Sequence, residues 1–434
     1  MLEHLFREEI PQWIDPERLN AVLTSRDINS AWLDAGPHAG LGFSYLAVIS
    51  DLLTDADAMT ALAEQLPPPR RYENANGLTG PFALGWIGWF GYEFGAALNG
   101  IAVPESDHPD VALGRVRAMF AFNHELRRCF MVADSAAGLD SLRDFVTAEI
   151  PPATQTPSAP VEPPLWRHEA DAYRSMVESC KVAIHDGDAF QLCLTNHITV
   201  PGSFSEVRVY QRLRANNPSH HGALIRFDGV NLLSSSPEVF LRISSDGRVL
   251  TMPIKGTRRR SSDADEDLAL ADELRSSSKE QAENLMIVDL MRNDLSRVTV
   301  TGTVAAHDLF EVHTLPHVHQ LVSTVSGQLR PEITALQVLE STFPAGSMTG
   351  APKIAAMRIL NTLEQGPRGI YSGVFGWLGL DGTCELAMVI RSIVIDERGA
   401  SIGTGGGITS DSDPEFELEE TRIKAVAALR ALGA

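Results

Sequence analysis

Apolar, β-branched runs follow one another in this chain without a helix between each pair. AFQLCLTNHITV (189–200), LLSSSPEVFLRIS (232–244), GVFGWLGL (373–380) and ELAMVIRSIVID (385–396) are the clearest. Each parallel pairing needs a long crossover, usually a helix, so adjoining runs favour antiparallel sheets. Further strands are expected at LGFSYLAVIS (41–50) and VRAMFAFNHELRRCFMVAD (116–134). PFALGWIGWFGYEFG (81–95) sets aromatics between glycines, as in tightly packed strands with close backbone approach. ADAYRSMVESCKVAIHDGD (170–188) reads as an amphipathic helix ending at Gly187. The expected class is α+β: antiparallel sheets packed together, with helices on the outside.

IPPATQTPSAPVEPPLW (150–166) carries six prolines and no glycine, the composition of an extended spacer. It divides the chain into an expected N-terminal domain, 1–149, and an expected catalytic domain, 167–434. A formal net charge of −20 argues against nucleic acid as a partner. No apolar run reaches the roughly 18 residues of a membrane span. MLEHLFREEI lacks a basic region followed by an apolar core, so a cytoplasmic protein is expected. Cys129, Cys180, Cys193 and Cys384 are scattered without a CxxC pair, which indicates neither a zinc site nor a disulfide framework.

Only five of the 36 cationic residues are lysine: Lys181, Lys255, Lys279, Lys353 and Lys424. Where arginine is the default cation, a lysine marks a place for a compact amine able to lose its proton and attack, or it is drift in composition. Lys255 stands in PIKGTRRR (253–260), beside the densest positive charge in an acidic chain. SSKEQAENLMIVDLMRND (277–294) and DPEFELEETRIKAVAALRAL (413–432) read as helices with carboxylates along one face. Glu280 and Glu283 lie three apart on the first; Glu417, Glu420 and Lys424 align on the second, where Asp413 caps and Pro414 suits the first turn. Such faces are either solvated or, if the helices meet, a source of oxygens for Mg²⁺. GTGGGITSDSDPE (403–415) reads either as a flexible turn or as an anion-binding loop before a helix. Arg391, inside an apolar strand, faces water or an anion pocket. Glu238 in SSSPEVF is an edge carboxylate, or an acid–base group if buried. Thr349 and Lys353, in FPAGSMTGAPKIAAM (343–357), read on their own as a helix cap.

Taken together and in this order, SSSPEVF, PIKGT, AENLMIVDLMRNDL, QLVST, FPAGSMTGAPK, RGIYSG and GGGITSDSDPEFELEETRIKA resemble the chorismate-utilising enzyme family. The likeness is strong over about 168–427 and looser through SAWLDAG (30–36) and GWIGWFGYEFG. It implies a fold of the anthranilate synthase component I type. Two positions sort such enzymes. Members that add water to chorismate carry a lysine base where this chain has Gln191, and an amide cannot deprotonate water; ammonia needs no such base. Members that make anthranilate carry alanine where this chain has Lys255.

The resemblance therefore implies amination of chorismate to 4-amino-4-deoxychorismate, a precursor of 4-aminobenzoate and folate. Lys255 would be the covalent nucleophile and Glu238 the proton-transfer group. Mg²⁺ would be held by Glu283 and Glu420, with Glu280 and Glu417 supporting through water. The substrate would meet Gln191, Gly256, Thr257, Thr349, Tyr371, Arg391, Gly405, Gly406 and Lys424. Covalent catalysis by an amine needs a lowered pKa, to which Arg258, a metal ion or burial would contribute. Ammonia is expected from a separate glutamine amidotransferase subunit. Two departures stand out: Gln320 replaces the histidine usual before LVS, so either that histidine is dispensable or His319, one residue earlier, reaches the site from a shifted backbone; and NPSHH (217–221) replaces the NPxP turn, which argues against a regulatory pocket there, tryptophan binding included. The rival readings are an anthranilate synthase large subunit and a non-catalytic protein retaining the fold.

Overall fold

The computed structural model describes residues 5–70, 78–149, 162–315 and 318–434. Of the proline-rich stretch 150–166, residues 150–161 lie outside the described residues. Every strand pairing is antiparallel. The strand Val111–Asn123 is the spine: one edge pairs with Phe43–Thr54, the other with Gly85–Phe90 and then Arg128–Ala133. From Gly85–Phe90 one arm runs through Val374–Gly379, Cys384–Met388, Val239–Ile243 and Arg248–Thr251 to Val318–Gln328, which also carries Ile254–Arg259. From Phe43–Thr54 the other runs through Ser30–Asp34, His221–Phe227, Val230–Ser236, Ser392–Asp396 and Gly399–Ile408 to Gln191–Pro201. Strands from 1–149 and from 167–434 are thus joined edge to edge.

The arms fold over one another around an apolar layer that includes Ile87, Trp89, Phe227, Leu232, Trp377 and Val394. Trp89 of one arm stacks on Phe227 of the other, with centroids 5.3 Å apart. Glycine permits the tight approach inside this layer: a Cβ on Gly88 would lie 1.9 Å from the Ala112 carbonyl oxygen. Helices cover the outer faces. Ser278–Ser296 and Ala335–Thr342 pack on the first arm, and Pro16–Ser25, Ala136–Thr147, Glu206–Asn216 and Pro414–Leu432 on the second. No helix among the described residues is long and apolar enough to cross a membrane.

Three stretches differ from the strand reading. In 81–95 only Gly85–Phe90 is a strand, and the chain then turns at Gly91 into the helix Tyr92–Leu98. That turn lets the buried Glu93 carboxylate accept the Arg368 and Gly369 backbone N–H groups at 2.7 and 2.8 Å. LLSSSPEVFLRIS and ELAMVIRSIVID each break in two, at Pro237 and before Ser392. Proline has no N–H for the ladder, and Arg391 has a left-handed backbone, φ 53°. Both breaks fall where the paired chains pass from one arm to the other, tied by Met388 N–H to Glu238 O and Ser235 N–H to Arg391 O. The glycine-rich 403–415 is not a loop throughout: the strand Gly399–Ile408 takes all four of its glycines.

Candidate active site

The strands Ile254–Arg259 and Gly399–Ile408 belong to different arms, yet they meet. A Cβ on Gly407 would lie 3.0 Å from Lys255 Nζ. Between them and the helices Ser278–Ser296 and Pro414–Leu432 is a cavity of about 400 Å³. A bulge at Gly256, φ 79°, interrupts the strand between Lys255, opposite Leu321, and Thr257, opposite Gln320. Bulges bend a strand and re-aim its side chains. Lys255, Gly256 and Thr257 all line the cavity, and Lys255 Nζ stands 3.8 Å from Glu283 Oε2.

The neighbouring arginines do not form a basic patch. Arg258 binds Glu273 and, at 3.2 Å, Glu280; Arg259 pairs with Glu266; Arg260 forks onto Asp267 and donates to the Leu315 carbonyl. The acidic helix Ala264–Ser276 neutralises them, so Arg258 is a partner of carboxylates and not a bare cation beside Lys255.

Both carboxylate helices form as expected. Ser277 accepts the Glu280 N–H, and Asp413 accepts the N–H groups of Glu415 and Phe416 ahead of Pro414. These caps aim Glu280, Glu283, Glu417 and Glu420 into one cavity. Burial raises the Glu283 pKa, with Glu280 and Glu420 adding to the rise against Lys255 and Lys279. Burial also raises Glu417, which accepts from Ser412 at 2.7 Å. Burial would raise Glu420 too, but its pair with Lys424, with help from Lys255 and Lys279, holds it below the usual range. Among the described residues no three His, Cys, Asp or Glu side chains form a ready metal cage. Four facing carboxylates, two of them pushed towards protonation, nevertheless suit a hard divalent cation that keeps its waters.

Glu238, which also lines the cavity, is 7% exposed and accepts from Ser347 Oγ at 2.9 Å. Burial pushes its pKa up to about 7, against the pull of Ser347 and Lys255. Arg391, held at the corner between arms, projects into the cavity without an ion pair or hydrogen bond to a described residue. The Tyr371 ring lies on Gly403, where a Cβ would fall 1.9 Å from it. Gly405 and Gly406 line the wall as strand residues paired with Thr195 and Leu194, and Lys424 donates to the Gly405 carbonyl at 2.8 Å.

Two of the expected substrate contacts do not line the cavity. Gln191 is buried behind Gly407, where a Cβ would meet its Nε2 at 2.2 Å, and its Oε1 has no hydrogen-bond partner among the described residues. Thr349 is fully buried, its hydroxyl donating to Ala345 O. Nor does Thr349 cap a helix with Lys353: the helix Lys353–Glu364 starts after Pro352 with no side-chain cap, and Lys353 pairs with Asp294 at 2.7 Å. His319 does not reach the cavity; it lies between Asp267 and Thr314, at 3.0 and 2.9 Å, while Gln320 lines the wall. Neighbours on a strand face opposite ways, so one of the two must turn away. Sequence reasoning missed Ser347 and Lys279. Lys279 was findable, four residues before Glu283 on the same helix. Ser347 was not, since 109 residues separate it from Glu238.

A family model described as chorismate binding enzyme matches residues 37–430. The chain belongs to that family. Among chorismate binding enzymes it is 41% identical over 373 residues to an aminodeoxychorismate synthase of Streptomyces pristinaespiralis, covering 82% of this chain and 52% of the relative. It is 35% identical over 382 residues to anthranilate synthase component 1 of Geobacillus stearothermophilus, covering 82% of this chain and 75% of the relative. The chain spans about half the length of the two Streptomyces aminodeoxychorismate synthases it matches. Anthranilate synthase component I from Streptococcus pneumoniae superposes with a TM-score of 0.79 at 28% identity, over 98% of this chain and 99% of that one. The α+β fold of that type, expected from the sequence, is the fold found.

Proposed function

We propose that this protein aminates chorismate to 4-amino-4-deoxychorismate through a covalent intermediate on Lys255. The observation that carries the reading is Lys255 Nζ in a carboxylate-lined cavity, 3.8 Å from Glu283, with the buried Glu238, its pKa raised, lining the same cavity. The Lys255 amine attacks C2, the two ring double bonds shift to C1=C6 and C4=C5, and the C4–O bond breaks. Glu238 gives its proton to the departing hydroxide, which leaves as water. Ammonia then bonds to C4 and the C2–N bond to Lys255 breaks, splitting one hard displacement into two. Arg391, which forms no ion pair with a described residue, and Tyr371 hold the enolpyruvyl carboxylate. Gly405, Gly406 and Lys424 border the ring carboxylate, while Gly256 and Thr257 flank the nucleophile. Gln191 and Thr349 act from behind the wall, through Gly407 and the Gly346 turn. Mg²⁺, bound by Glu283 and Glu420 with Glu280 and Glu417 outside them, would neutralise the ring carboxylate. A glutamine amidotransferase supplies the ammonia.

A second reading is anthranilate formation, favoured by the 35% identity to a component 1 whose length is three-quarters covered. Lys255 separates the two. With chorismate, Mg²⁺ and ammonium, the chain should form 4-amino-4-deoxychorismate, and intact mass should reveal an adduct absent from Lys255→Ala. Anthranilate as the product, or undiminished amination by Lys255→Ala, overturns the proposal. Glutamine-dependent turnover by these 434 residues alone would refute the separate amidotransferase.

A further inference from the structure

Behind Tyr371 the space between the arms opens again into a second cavity of about 200 Å³. Its floor continues the same ladder: Thr199 faces Ser401, and His197 faces Gly403. The acids at its rim are already matched, Asp396 by Arg398 and His108, and Asp107 by Arg398. Arg368 is likewise engaged, with Glu364 and the Met348 and Cys193 carbonyls. Arg167 is not. It donates Nη2 to the Pro367 carbonyl at 2.8 Å and forms no ion pair with a described residue. Beside it His197 Nδ1 is buried without a hydrogen-bond partner among the described residues. Burial and the Arg167 charge lower the ring's pKa to about 4, so it stands neutral. The Thr199 and Ser401 hydroxyls bond no described residue.

We infer that this second cavity binds a small carboxylate-bearing molecule, with the Arg167 guanidinium as its charge partner and His197, Thr199 and Ser401 completing its hydrogen bonds. The carboxylates whose field reaches Arg167, Glu364 and Glu93, are bonded to Arg368 and to backbone N–H groups, so burial of the guanidinium is only partly offset, and its planar fork matches a carboxylate better than scattered water does. The volume is half that of the first cavity, which limits the ligand to a small one. The Tyr371 ring on Gly403 is the wall common to both cavities, so an occupant behind it restrains the ring that faces the first site. The inference stands apart from the proposed reaction, since it uses neither Lys255 nor the carboxylate helices.

The test is isothermal titration calorimetry of the full chain with malonate and, separately, inorganic phosphate. Malonate should bind one per chain, weaken by about tenfold or more in Arg167→Gln, and stay within about twofold in Arg391→Gln, whose guanidinium lies in the other cavity. Because Arg167 also anchors Pro367, Ser401→Leu, which fills the floor, must weaken malonate independently. No heat beyond dilution overturns the inference. So does binding lost in Arg391→Gln but kept in Arg167→Gln, which would put malonate in the first cavity. Phosphate bound tighter than malonate would overturn the carboxylate assignment.

Discussion

Glu238→Gln keeps the shape of a buried side chain and removes its titration. In the fold the carboxyl titrates near 7, against 4.5 for the free group, chiefly because burial disfavours the charge. Each pKa unit corresponds to about 1.4 kcal/mol, so the wild type should lose roughly 3 kcal/mol of stability across that window. The sign follows from proton counts: between 4.5 and 7 the native state holds the proton and the unfolded chain does not. The contribution is therefore whole below 4.5 and lost as pH rises through 7. Glutamine preserves the acceptor for Ser347 and carries no such slope. Urea denaturation from pH 4.5 to 8.5 should show the variant gaining on the wild type by roughly 3 kcal/mol, then levelling. Parallel stability curves would refute the burial argument for Glu238. If Glu238 also supplies the proton for C4–O cleavage, amination should fall by about 10²- to 10⁴-fold.

Gly403→Ala drives a methyl into the Tyr371 ring; about 1–3 kcal/mol of stability should be lost by thermal denaturation, with a raised KM for chorismate. Glu364→Gln breaks the buried pair in which Glu364 accepts from Arg368 at 2.7 and 2.8 Å, and should cost about 3–5 kcal/mol in urea denaturation. His319→Gln should leave the pH–rate profile unchanged, since that ring faces Asp267 and Thr314, whereas Gln320→Ala should raise the KM for chorismate. Glu283→Gln should weaken Mg²⁺ binding, read by calorimetry without substrate, by about tenfold or more.

Local physics made much of this protein legible in its sequence. The strand runs, the two capped carboxylate helices and the rarity of lysine can all be read from neighbouring residues, because periodicity, caps and composition act within a few positions. Thirteen of the fifteen expected site residues line one cavity. Their joint placement was legible only through family likeness, since Lys255 and Gly405 lie on opposite arms of a folded ribbon.

Tertiary structure decided the rest. Arg391 looked like a strand residue until the corner between arms gave it a left-handed backbone and turned it into the cavity. The glycines of 403–407 looked like a loop, but they form a strand that leaves room for Tyr371 and Gln191. PIKGTRRR looked like a basic patch, but the helix Ala264–Ser276 pairs each arginine and leaves Lys255 facing Glu283. Residue order alone sets which side chains can carry charge and which segments form strands or helices. Burial and charge pairing, which set how Glu238, Arg391 and the carboxylates behave, depend on side chains far apart in the chain and arose only when the arms closed.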